Sequence, residues 1–229
     1  MGISDAYGGL PFPVQTWFNS GMWPETEKTD QLLVGARDGN VSAVNRLLDR
    51  HRAAVHRMVR IRLDQKIQRR VDVSDVVQDV MLEANRRLQE YLENPVMAFH
   101  LWIRQIARDR IIDAHRRHRV SARRSVDREQ VLAAQGEDPA SVRLGAELLD
   151  PRLTPAAAAT QREMARRVEQ AIGELGPQDG EIIVMRHYEH LSNQEVAQVL
   201  NLTEAAASMR YLRAIRRLRG LLGEPAVAP

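Results

Sequence analysis

The chain contains no cysteine. That excludes disulfides, thiolate metal sites and a cysteine nucleophile together, and it fits a reducing compartment. No apolar run reaches the roughly 18 residues that a membrane-crossing helix needs, so membrane insertion is not expected. The N-terminus lacks the charged-then-apolar order of a secretory signal. There is no glycine-rich phosphate loop, no Ser/His/Asp arrangement and no paired-carboxylate cleft. The 7 histidines fall in no metal-binding spacing. His115 and His118 are three apart, but they lie among arginines that would repel a cation. The expectation is a protein that is not an enzyme and has no metal or cofactor.

Net charge is also small, +3 over 229 residues, but its distribution is uneven. Residues 100–124 hold eight arginines against Asp109 and Asp113, and residues 210–219 hold five arginines and no acid. Such local excess points to a polyanionic partner more than the net value does. Hydrophobic residues make up 44% of the chain, enough to bury a core.

Residues 1–29 show no helical or strand period. Gly8-Gly9, Pro11, Pro13 and Pro24 are interspersed with Trp17, Phe18 and Trp23, which reads as an extended arm with aromatics to dock. From Thr29-Asp30 onward apolar residues recur at three- and four-residue steps. Leu32, Leu33 and Ala36 come first, then Val44, Leu47, Leu48, Val55, Met58, Val59 and Leu63, with Gly39-Asn40 as the break between two helices. A second stripe is Val73, Val76, Val77, Val80, Met81, Ala84 and Leu88, capped by Asp72 or Ser74. Asn94-Pro95 interrupts the chain. A third stripe, Phe99, Trp102, Ile103, Ile106, Ala107, Ile111 and Ala114, ends in Arg116, Arg117 and Arg119. Residues 121–163 are rich in Pro, Gly and Ala and read as a linker with a short helix near residues 142–149. Helical spacing resumes at Met164. The predicted fold is all-α: two small helical domains, residues 30–120 and 164–222, joined by a flexible linker, with a tail at 223–229.

The second domain carries a specific arrangement. Ser192-Asn193-Gln194-Glu195 is a capping box, and it opens a short helix through Leu200. A turn at Asn201-Leu202 follows, and Thr203 can cap a long final helix. A capped short helix, a turn and a second capped helix form a helix-turn-helix, whose second helix reads the major groove with its N-terminal residues. The exposed candidates there are Thr203, Glu204, Ala206 and Ser208. Arg210, Arg213 and Arg217 form a basic stripe for phosphates or guanine edges. Val196, Leu200, Leu202, Ala207, Tyr211, Ile215 and Leu218 are the expected core.

These residues carry a resemblance. Glu174-Leu175-Gly176-Pro177, the run from Ile182 to Tyr188, Leu191-Ser192, Glu195-Val196-Ala197 and Leu200 resemble region 4 of the bacterial RNA polymerase sigma factors. Asp75-Val76-Val77-Gln78-Asp79-Val80, with Phe99, Trp102-Ile103, Ile106-Ala107-Arg108 and Asp113, resembles sigma region 2. The pair, in this order and across a linker, resembles the extracytoplasmic-function class. Two departures stand out. Ala205-Ala206-Ala207-Ser208-Met209-Arg210 replaces the family's small-Thr-Val-Lys-Ser-Arg, which implies a different upstream promoter element, and Asp109 stands where the family often has asparagine.

The resemblance implies a cytoplasmic promoter-recognition subunit, monomeric when free. Its implied partners are core RNA polymerase, promoter DNA and an anti-sigma protein. Asp72, Asp75, Asp79 and Glu83 fall on one helix face beside Gln78. That edge suits either helix solubility with dipole stabilisation or a basic partner surface. The family implies the second, the clamp of the largest polymerase subunit, through Asp75, Gln78 and Asp79. Cations combined with aromatics suit unstacked single strands. Tyr91, Asn94, Trp102, Arg104, Arg108, Arg116, Arg117 and Arg119 are the candidates, and the family resemblance implies that the 91–97 loop receives a flipped base. Phe99 is expected in the core and Trp102 at the edge of core and surface. Two rival readings are a conventional helix-turn-helix regulator, binding a palindrome as a dimer, and a nuclease. The first does not need the basic helix at 97–119. The second would need a metal site that one acidic helix seldom supplies.

Overall fold

The computed structural model describes residues 22–63, 65–68, 70–126 and 154–223, and among them finds nine helices and no strand. Trp17, Phe18, the helix expected near 142–149 and the tail beyond Gly223 lie outside the described residues.

The first domain is built from α1 (Thr26–Arg37), α2 (Val41–Arg62), the single turn α3 (Gln65–Gln68), α4 (Val73–Glu93) and α5 (Phe99–Val126). Helix α1 begins at Thr26, before the Thr29-Asp30 start read from spacing, with Glu25 at its N-cap and no side-chain cap bond. Gly39, at φ +76°, reverses the chain, and Asn40 caps α2 by accepting from the Ala43 N–H at 3.1 Å. At α4 the cap is Asp72, whose Oδ1 accepts from the Ser74 N–H at 2.8 Å. The three apolar stripes meet in one core: Leu47, Val55, Met58 and Val59 of α2 against Val80 and Ala84 of α4 and Ile103 and Ala107 of α5. Each fully buried Leu, Val or Ile contributes about 1.5–3 kcal/mol relative to exposure. The valine-rich α4 is helical despite its composition, because its 3–4 spacing puts Val76, Val77, Val80 and Met81 on one inward face.

The second domain comprises α6 (Pro155–Glu174), α7 (Pro177–His187), α8 (Asn193–Leu200) and α9 (Glu204–Leu222); α6 begins before the Met164 start read from spacing and α5 runs past residue 120, so helix occupies both ends of the expected 121–163 linker. Gly176 at φ +81° turns the chain, and Pro177 supplies the first position of α7. Ile172, Leu175, Ile182, Ile183, Met185, Leu191, Val196 and Leu218 form its core.

The two domains are packed on each other. Ile61 of α2 and Leu101 of α5 belong to the second domain's cluster, and Trp23 packs against both cores. That gives one arm aromatic a place: Trp23 sits at the domain junction, with its ring centroid 6.0 Å from that of His100.

Candidate nucleic-acid interface

The geometry of α8 and α9 is that of a helix-turn-helix. The Glu195 N–H donates to the Ser192 hydroxyl at 3.2 Å, and the Ser192 N–H donates to Glu195 Oε2 at 2.6 Å, completing the capping box. Asn201, left-handed at φ 52°, closes α8, and the Leu202 N–H reaches the Ala197 carbonyl at 2.8 Å. Thr203 accepts from the Ala206 N–H at 3.2 Å and starts α9. Asn193 donates to the Glu204 carbonyl at 3.0 Å, so the two helices are tied at their starts. Of the expected core, Val196, Ala207, Ile215 and Leu218 are buried, while Leu200, Leu202 and Tyr211 are partly buried. His187 stacks on Tyr211 with its Nε2 2.9 Å from the phenol oxygen. Burial lowers its pKa to about 4.

Among the candidates on α9, Thr203, Glu204, Ala206, Arg213 and Arg217 are exposed, and Ser208 and Arg210 are half-buried. The outer ridge also holds Ala205, Met209, Leu212 and Arg216, all exposed and none singled out from spacing. Their signal was available. They lie opposite the buried line of Ala207, Ala214 and Leu218 on a helix with 3.6 residues per turn.

The surface around α5 is more selective than its composition suggests. Asn94, Arg108, Arg116 and Arg117 are exposed, and Trp102 is half-buried. Tyr91 is not a surface residue. It is 5% exposed, its ring packs on Trp102 and Phe99 at 4.7 and 5.5 Å, and its hydroxyl donates to the Met97 carbonyl. It therefore shapes the 94–98 loop from beneath. Phe99 is in the core, as expected. The side chain of Arg119 lies outside the described residues.

Arg104 corrects the reading most. At 1% exposed it is enclosed at the domain junction, where it meets Glu189 and, at 3.0 Å, Glu181. Arg62 joins the same two carboxylates, at 2.7 Å to Glu181 and 2.5 Å to Glu189. Burial opposes the charge on Arg62, but Glu189 and Glu181 outweigh it and raise its pKa. Beside this cluster His100 Nε2 lies 2.6 Å from Glu195 Oε1, and Gln198 donates to the Val96 carbonyl at 3.3 Å. The bond to His100 foremost holds the Glu195 carboxyl down at about 2. The first helix of the helix-turn-helix thus rests on the loop and helix start of the other domain. In this arrangement Arg104 is closed to DNA.

The acidic edge of α4 is shorter than its spacing implies. Asp75, Gln78 and Asp79 are exposed. Asp72 is occupied as the cap, and Glu83 is bound by Arg86 at 2.6 Å and by Arg87, with Arg110 at 3.6 Å. The Arg86 bond is the main reason the Glu83 carboxyl is held down at about 2. Among the described residues no cluster of three or more His, Cys, Asp or Glu could hold a metal, and no helix is long and apolar enough to cross a membrane.

A helix-turn-helix with a basic flank, docked on a helical domain with an arginine-bearing helix, defines a two-domain DNA-binding protein. Family comparison narrows this. The "Sigma-70 region 2" model matches residues 47–120 and the "Sigma-70, region 4" model matches residues 165–218, together more than half of the chain. RNA polymerase sigma factor CnrH of Cupriavidus metallidurans is 28% identical over 197 residues, covering 86% of this chain and 95% of that protein. The ECF RNA polymerase sigma-E factor of Haemophilus influenzae is 26% identical over 187 residues, covering 81% and 91%. The solved structure of CnrH in complex with the cytosolic domain of CnrY covers 86% of this chain and 97% of that one, with TM-score 0.54 at 24% identity, and shares the fold. The chain belongs to the sigma-70 family, as an RNA polymerase sigma factor of the extracytoplasmic-function class with regions 2 and 4.

Proposed function

We propose that this sigma factor directs promoter-specific initiation by three surfaces. Exposed Asp75, Gln78 and Asp79 bind core polymerase. Helix α9 reads the upstream element as duplex, with Thr203, Glu204 and Ala206 at the groove and Arg213 and Arg217 on phosphates. Asn94, Trp102, Arg108, Arg116 and Arg117 hold unpaired start-proximal bases, cations on the backbone and indole on a base face. Arg104 joins them only if the domains part. Strand opening is driven by binding energy, with no nucleotide hydrolysed. CnrH is solved with the cytosolic domain of CnrY, and by analogy a protein partner, an anti-sigma protein, holds this factor.

The observation that supports this best is the capped α8–turn–α9 unit with its outward arginines. The test is run-off transcription with purified bacterial core polymerase on DNA from upstream of the protein's own gene. Specific transcripts that require the protein support the reading. Stable DNA binding without polymerase, and no gain in transcription, would favour a conventional regulator.

A further inference from the structure

We propose that the outer ridge of α9, Ala205, Met209 and Leu212, reads thymine 5-methyl groups in the major groove of the upstream element. This rests on the reading above that α9 enters that groove. At about 100° per residue, positions 205, 209, 212 and 216 fall in one line along the helix. Opposite that line are Ala207, Ala214 and Leu218, packed in the domain core. The ridge is therefore the part of α9 that projects farthest from the protein. Met209 is 58% exposed and Leu212 is 45% exposed, so both large apolar side chains are open to a partner.

The chemistry of the ridge limits what it can recognise. Guanine, adenine and cytosine offer the major groove only hydrogen-bonding groups, whereas thymine adds a methyl. Alanine and leucine side chains neither donate nor accept, and the methionine thioether is only a weak acceptor, so the group on a base edge that best rewards all three is that methyl. No exposed cation stands on α9 before Arg213; Arg210 is half-buried. Arg213 and Arg217 then run along one side of the ridge and Arg216 continues it, all exposed. Cations beside an apolar line fit a phosphate-walled groove better than they fit an apolar protein surface.

The test uses holoenzyme, core polymerase with the full chain, on promoter duplexes randomised across the upstream element. Selected duplexes are then remade with single thymines replaced by deoxyuridine, which removes only the methyl. The expected result is enrichment of thymine on either strand, and about fourfold weaker binding at one or two deoxyuridine positions, the worth of one buried methyl. Met209→Ala should bind the thymine duplex less tightly and no longer distinguish deoxyuridine. Met209→Gln, which can pair with adenine in the groove, should shift the preferred base towards adenine. Equal binding of thymine and deoxyuridine duplexes by the wild-type protein would overturn the proposal. So would a Met209→Ala loss that is the same on both duplexes, which would instead mark a protein contact. If holoenzyme shows no upstream selectivity at all, the reading of α9 fails and this one with it. Selectivity without methyl dependence would overturn this one alone.

Discussion

Arg104 on α5 and Glu189 beyond α7 are 85 residues apart in sequence, and their side chains meet where almost no solvent reaches, 1% and 0% exposed. With Arg62 and Glu181 they form two cations against two carboxylates at the junction of regions 2 and 4. Charges taken out of water cost several kcal/mol each, and only close pairing offsets that.

Removing one partner should therefore be severe. Glu189→Ala leaves two buried guanidinium groups facing one carboxylate, and the expected loss is about 3–5 kcal/mol in urea unfolding. Combining it with Arg104→Met should recover much of that loss. If the single variant unfolds like the wild type, the cluster does not hold the domains together.

Acid should loosen the protein in two windows. Burial depresses the pKa of His51 and of His187 from 6.5 to about 4. A depressed value means that the stability is present above 6.5 and is lost as pH falls through 4. The bond to His100 lowers Glu195 from 4.5 to about 2. Burial pushes Glu181 up, but Arg62 and Arg104 more than offset it, so it too is depressed. Their contribution to docking is present above pH 4.5 and is lost below it. Thermal melts should fall from pH 6.5 to 4, and small-angle scattering should then show expansion towards pH 3. A constant melting temperature over the first window would contradict the histidine assignment.

Charge reversal on the exposed edge of α4 should separate binding from folding. Asp75→Lys with Asp79→Lys is expected to cost only about 1–2 kcal/mol of stability, from the first-turn dipole at Asp75 and the exposed pair of Asp79 with Arg117 at 3.5 Å. Affinity for core polymerase should fall about tenfold or more, which is 1.4 kcal/mol. Fluorescence anisotropy against core polymerase measures it. Unchanged affinity would remove this edge from the interface.

The capping box carries a smaller and more local effect. Ser192→Ala removes the acceptor for the Glu195 N–H, at an expected cost of about 1 kcal/mol. The melting midpoint reads it directly, and no shift would mean that α8 does not depend on this cap.

Arg213→Ala should weaken promoter binding across sequences and reduce the slope of log affinity against log salt by about 1, as expected for one lost phosphate contact. A change confined to one base position would instead make Arg213 a base reader.

Much of this architecture could be read along the chain. The stripes of α2, α4 and α5 recur at helical steps, and Ser192 with Glu195 announces its cap, because these are contacts between residues three or four apart. The motif order likewise identified regions 2 and 4. Reading by residue type went astray where one residue has two uses. Glu83 continues the acidic face of α4, yet three arginines occupy it. Tyr91 is an aromatic beside a predicted loop, yet its ring lies beneath that loop. Arg104 counts among the eight arginines of its segment, although it stands three residues before buried Ala107 and four after His100, on the inward side of α5.

The sequence by itself determined most of the helices, the caps of α8 and α9, the inward faces and the family, since each depends on neighbours within one or two turns or on motif order. Only the tertiary structure decided which charges remain available to partners. Arg62 and Glu189 are 127 residues apart, Arg104 and Glu181 are 77 apart, and His100 and Glu195 are 95 apart. No local pattern couples such positions. Their pairing follows from how two finished domain surfaces fit, where the cost of burying a charge is met only by a carboxylate or histidine that the other domain happens to present.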